Sequence, residues 1–226
     1  MERPRILQLS PNTEHALTAP RPRLRGVSHL VAAIVVVPLG IWWLVAAGQG
    51  SVRWAITAFI GGMAAMFAAS AALHLRRWQV RAYEALYRLD HTGIYLAIGG
   101  TGVALALLGL EGWARYVMLS VAVIGVALGV VVEWLPFAPP RGFSNTVYIT
   151  LGWIPMVLLP WLWMQAGPLT VILLMVGGVL YTSGAVMLAL RRPDPWPAWF
   201  GYHELWHLLV IIAAATHGIM LVRLSV

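Results

Sequence analysis

Residues 202–223 read YHELWHLLVIIAAATHGIMLVR, and this stretch decides the class of fold. A helix rises ~1.5 Å per residue and the hydrocarbon core of a bilayer is ~30 Å thick, so about twenty apolar residues suffice to cross it. The stretch has that length, and it opens on His203-Glu204-Leu205-Trp206-His207. Two histidines four apart share one face of a helix, one turn apart, which is a chelating geometry for a divalent metal. Ionisable groups inside a membrane span are costly and rare, and they usually serve a function.

Six further runs of spanning length lie upstream, at 28–47, 54–75, 91–110, 113–133, 145–165 and 168–190. The sequence therefore predicts an all-α polytopic membrane protein, a bundle of seven transmembrane helices. No segment shows the two-residue period of a membrane barrel strand. Short joints separate the runs: Gly48-Gln49-Gly50-Ser51, Leu110-Glu111-Gly112 and Gln165-Ala166-Gly167-Pro168 on one side, and a charged loop at 76–89, a proline-rich loop at 136–142 and the segment 191–201 on the other. Only 10% of residues are charged, against about 25% in a soluble domain. Pro38, Pro155 and Pro160 are placed to kink their spans. Small residues such as Gly61-Gly62, Gly99-Gly100, Gly125-x-x-x-Gly129 and Gly177-Gly178 are read as sites of close helix approach.

The charge has a direction. The net charge of +7 rests on fifteen arginines and no lysine, read as a topology signal rather than as binding to nucleic acid. Twelve arginines fall on the amino-terminal side of the bundle, from Arg3 through Arg25, Arg76, Arg88 and Arg141 to Arg192; Arg53, Arg115 and Arg223 fall on the other. By the positive-inside rule the amino terminus is cytoplasmic and the carboxyl terminus outside. Trp42, Trp43, Trp54, Trp113, Trp161 and Trp163 gather toward the outer ends as an aromatic belt. Residues 1–27 form a flexible basic cytoplasmic tail without a signal-peptide core, and 28–226 the membrane domain.

Alternating spans bring distant polar residues to one depth. His74 ends the second span, Asp90 and His91 begin the third, and His203 and His207 begin the seventh, all on the cytoplasmic side. Ser70 lies one turn below His74 on the same face. With no cysteine in the chain, a metal site must use histidine and carboxylate. Three imidazoles and an aspartate suit Zn²⁺ with water in its fourth position; the set excludes neither Ni, Fe nor Mn, and Irving–Williams preference together with the lack of redox partners favours zinc. His74, His203 and His207 are the expected ligands, and Asp90 holds the water unless it pairs with Arg88. His29 and His15 are read as solvated or hydrogen-bonded. His217, about 15 Å beyond His207, is read as a buried hydrogen-bonded residue outside the site.

In order along the chain, Ser70-x-x-x-His74, Leu89-Asp90-His91-x-x-Ile94-Tyr95, Tyr181-Thr182-x-Gly184-Ala185 and His203-Glu204-x-Trp206-His207, with His217 following, resemble the hemolysin III family. That family belongs with the progestin and adipoQ receptors and, more distantly, the alkaline ceramidases. The resemblance runs from Ser28 to His217, and likeness to a bacterial member of the family implies the inner (plasma) membrane of a bacterium. It implies a cytoplasmic-side zinc held by His74, His203 and His207, with Asp90 on the zinc water and Ser70 supporting the site. The chain departs from the family at Thr101-Gly102-Val103-Ala104, where T-Y-T-P is frequent, and at Glu133, where a basic residue is common.

Four functions compete. The first is a zinc-dependent hydrolase of a lipid amide or ester at the cytoplasmic leaflet, with a lipid or fatty-acyl substrate. The second is a non-enzymatic sensor of membrane lipid whose zinc is structural. The third is a pore or channel, which the family's name suggests, although no span carries a polar stripe. The fourth is a zinc protease using Glu204 of H-E-x-x-H as base, which lacks the second motif that would supply a third ligand.

Overall fold

The structure, a computed structural model, describes residues 20–135 and 143–226. Most of the expected tail, including Arg3, Arg5 and His15, lies outside the described residues. So does the loop 136–142 with Arg141.

Seven segments are long and apolar enough to span a membrane, and no strand occurs among the described residues. They are α1 (Val27–Ala47), α2 (Gly50–His74), α3 (Val80–Gly109), α4 (Gly112–Trp134), a fifth span built from α5 (Phe143–Trp153), the 3₁₀ turn Ile154–Leu158 and α6 (Leu159–Ala166), then α7 (Pro168–Leu190) and α8 (Tyr202–Ser225). The interruption of the fifth span falls at its prolines. Pro155 and Pro160 each sit in the first turn of the piece they begin, where a missing N–H costs least. Pro38 is carried inside a continuous α1.

The third span differs from expectation. Its helix starts at Val80, not at 91, so most of the charged 76–89 segment is helical. Arg81, Glu84 and Arg88 recur at three- and four-residue spacing, and Arg88 follows Glu84 by four. This places a polar stripe on a helix that extends past the apolar run. Hydropathy alone ends the element where apolarity ends; the backbone carries it about three turns further.

Tight turns join the spans at the end opposite the histidines. Gly167 (φ 83°) and Gly112 (φ 56°) adopt left-handed backbone there, a conformation that strains a residue with a Cβ. After Gly167, Pro168 begins α7 with its ring already at helical φ. At the histidine end, α7 stops on Arg191 in the left-handed region. The Arg191 and Arg192 N–H groups then donate to the carbonyls of Leu188 and Met187, satisfying acceptors the helix leaves open.

Close approach through small residues holds the centre. α2 and α3 interlock: a Cβ on Gly62 or Gly100 would strike the backbone carbonyl of Leu96 or Ala58, and one on Gly93 would lie 2.7 Å from the Cα of Met66. Gly61, beside Gly62, faces open space. Gly129 makes room for the ring of Tyr95 and Gly177 for that of His217. The core between the helices includes Ile56, Met63, Leu105, Met118, Leu162 and Met220, while Val31, Ile34, Val45, Ile124 and Leu128 point outward. So much exposed aliphatic surface belongs in lipid.

The tryptophans form two belts. Trp42, Trp54, Trp113 and Trp163 are exposed at the far end, but Trp43 is buried and donates to Ser225 Oγ at 3.0 Å. The histidine end carries its own set: Arg76 lies 3.8 Å from the Trp78 ring, Arg23 4.4 Å from Trp199 and Arg88 5.9 Å from Trp134. Arginine over indole is favourable at an interface, where both groups remain partly wet.

Candidate metal centre

Two helices supply the imidazoles of the centre. His74 is the last residue of α2, and His203 and His207 occupy the first two turns of α8. The start of α8 is fixed by Glu204, whose side chain reaches back one turn to accept the N–H of Gly201 at 2.8 Å, the half of a capping box that a glycine N-cap permits. The same carboxylate pairs with Arg25, which precedes α1. The segment 20–26 is tied in turn to the connection before α8: Arg23 and Leu24 donate their N–H groups to the carbonyls of Ala198 and Trp199 at 3.0 and 3.1 Å. Gly26, in left-handed conformation, packs on His74, and a Cβ there would lie 2.9 Å from the His74 carbonyl carbon. First span, second span and last span are thereby drawn to one point.

One ligand atom from each of His74, His203 and His207 lies within 4.8 Å of the others. The Nε2 atoms of His74 and His203 are 3.3 Å apart. Two nitrogens each ~2.0–2.1 Å from a tetrahedral ion lie about 3.4 Å apart, so this pair is spaced as two ligands of one small cation are, and the three imidazoles together could hold a metal ion. Nδ1 of His207 is buried without a hydrogen-bond partner, and buried polar atoms are seldom left so. Asp90, in α3, holds Oδ2 3.7 Å from Nε2 of His74. The alternative partner for Asp90 is engaged elsewhere: Arg88 donates to the Trp134 carbonyl. Ser70, buried one turn below His74, lines the same cavity.

That cavity has a volume of about 1200 Å³. Its walls run from Arg21 and Arg25 at the histidine end, past the imidazoles, to Leu105, Met118 and Leu174 deep between the helices. A polar mouth over an apolar shaft of this size suits an amphiphile with a long chain.

Three features escaped the sequence reading. His29 is neither solvated nor hydrogen-bonded: it is 3% exposed, stacks on His207 with ring centroids 3.9 Å apart, and both its nitrogens are unpartnered. The Arg25–Glu204 pair joins residues 179 apart, and no periodicity announces it. A second buried pair links His91 in α3 to Glu133 in α4. His217 is as expected, buried with Nε2 3.2 Å from the Leu174 carbonyl and away from the three imidazoles.

Residues 17–218 match the family described as Haemolysin-III related. The chain is 26% identical over 194 residues to the Hemolysin-3 homolog of Bacillus subtilis (strain 168), covering 84% of this chain and 87% of that one. It is 29% identical over 198 residues to Hemolysin-3 of Bacillus cereus, covering 84% and 85%. A more distant likeness, 30% over 146 residues, is to the Adiponectin receptor protein of Drosophila melanogaster, covering 58% of this chain and 33% of that protein.

Proposed function

The chain belongs to the Haemolysin-III related family and is a multi-pass bacterial membrane protein, and on that premise we propose that it is a zinc-dependent hydrolase of a lipid amide or ester at the cytoplasmic leaflet. The observation that carries this reading is the convergence of three imidazoles, with a carboxylate 3.7 Å from one of them, in the wall of a large, mainly apolar cavity. In the proposal His74, His203 and His207 hold the ion. Zinc bound there would supply a Lewis acid for the acyl carbonyl and would lower the pKa of a water toward about 7.

The chain's own groups do the rest. Asp90 Oδ2 orients the attacking water and takes its proton, then returns it to the leaving amine or alcohol. In this scheme Ser70 Oγ donates a hydrogen bond to the acyl oxygen. The shaft below the imidazoles holds the acyl chain and excludes bulk water. Glu204 is occupied by Arg25 and by the Gly201 N–H, which argues against its use as the base of a protease.

Asp90→Asn tests this. It should retain most of the zinc while lipid hydrolysis falls about 100-fold or more, the usual range for a lost general base. Glu204→Gln should keep activity within a few-fold. Loss of activity only in the Glu204 variant would move the chemistry to the protease scheme. Unchanged function in both would make the metal structural and favour a lipid sensor.

The amino terminus faces the cytoplasm in this proposal. A reporter at Val226 is then active only outside the cytoplasm, and one inserted at Gln79, ahead of α3, only inside. The opposite pattern would put the imidazoles on the outer face.

A further inference from the structure

Helix α3 presents two stripes to the cavity. Asp90 faces His74, as above. Tyr87, His91 and Tyr95, four residues apart, form the other stripe along one face of the helix. Opposite them stand Glu133 near the end of α4 and Tyr148 of α5, and all five line the cavity. His91 Nδ1 engages one oxygen of Glu133. The Tyr87 ring lies 4.0 Å from that of His91, the Tyr148 ring 5.8 Å from it, and Tyr95 and Tyr148 lie 4.8 Å apart.

No step of the hydrolysis scheme uses this cluster, and packing alone does not account for it. Glu133 is 9% exposed and Tyr95 1%. The hydroxyls of Tyr95 and Tyr148 are both buried and lie close to one another, without a partner in good hydrogen-bond geometry, and a buried hydroxyl left so costs about 1–3 kcal/mol unless something comes to pair with it. Gly129 is shaped around the Tyr95 ring, since a Cβ there would overlap it. The cluster therefore offers a carboxylate, two open phenolic hydroxyls and several aromatic faces at one place in the cavity wall. Aromatic faces and a carboxylate attract cations, and an ammonium brings three donors that hydroxyl and carboxylate oxygens accept.

We propose that Glu133, with Tyr95 and Tyr148, forms a second subsite in this cavity that binds the ammonium group of a long-chain amphiphile. The chain of that ligand lies in the apolar shaft. This deepens the lipid-site reading by naming the head group as a primary amine, but the binding itself does not require hydrolysis. His91 holds the carboxylate in place and leaves its second oxygen to the ligand.

The test is equilibrium binding to the full-length protein in detergent, with a long-chain primary amine and the fatty acid of equal chain length as probes. Wild type should bind the amine about tenfold or more tightly than the acid, as one buried charge-assisted contact allows. Glu133→Gln keeps the side-chain shape and an acceptor for His91, and should erase that preference by weakening the amine alone. Tyr148→Phe removes one hydroxyl and should weaken the amine several-fold while leaving the acid unchanged, which keeps the test decisive if the Glu133 variant does not fold. The preference should persist in His207→Ala, so a failed hydrolase reading leaves this result standing. Equal binding of acid and amine by wild type, or a preference that survives both Glu133→Gln and Tyr148→Phe, overturns the proposal.

Discussion

Purified protein should carry about one zinc per chain, and His207→Ala should lose nearly all of it. Three imidazoles from two helices define the site, and removing one leaves a ligand pair with no third donor. Changing an outer partner of a metal ligand typically costs about 10–100-fold in affinity, so removing a direct ligand should exceed about 100-fold. His29→Ala provides the contrast: it stacks on His207 but lies outside the three convergent donors, and should retain most of the metal. Elemental analysis after purification without chelators reads both. A wild type without metal, or a His207→Ala variant that keeps it, would end the zinc reading.

The second large effect concerns stability. Glu204 is 1% exposed and Arg25 18%, so the pair is largely withdrawn from water. Deleting one member of such a pair leaves a buried charge with too few partners, typically a loss of about 3–5 kcal/mol. Arg25→Ala should therefore lower the melting temperature by about 10 °C. Neutralising the other member in the same chain should recover a good part of this, because Gln at 204 can still accept the Gly201 N–H. A melting temperature within ~2 °C of wild type would show that the pair is worth no more than an exposed one, and that the start of α8 is secured by its cap alone.

The sequence carries the outline because two of its signals are one-dimensional. Apolar length marks a span, and up-and-down connection fixes depth from residue number, which is why His74 and His203 could be matched across 129 positions. Other features need three dimensions. The start of α3 is hidden because Arg81, Glu84 and Arg88 make 76–89 look like a loop although they share a helix face. The His91–Glu133 and Arg25–Glu204 pairs depend on which faces of adjacent helices meet, and a rotation of one helix by a fraction of a turn would break them. His29 could not be distinguished from an ordinary interfacial histidine, because its stacking partner, His207, lies 178 residues downstream.

The tie between the first span and the last sets an order on assembly. Synthesis delivers α1 through α7 before α8, yet α8 brings two of the three imidazoles and the carboxylate that Arg25 requires. Until that last helix enters the membrane, Arg25 lacks its partner and His74 has Asp90 but no second imidazole beside it. The nascent chain thus holds one metal donor through most of translation and gains the other two in a single event, when its ends meet. A ribosome that stops before residue 202 leaves six spans and only one of the three imidazoles.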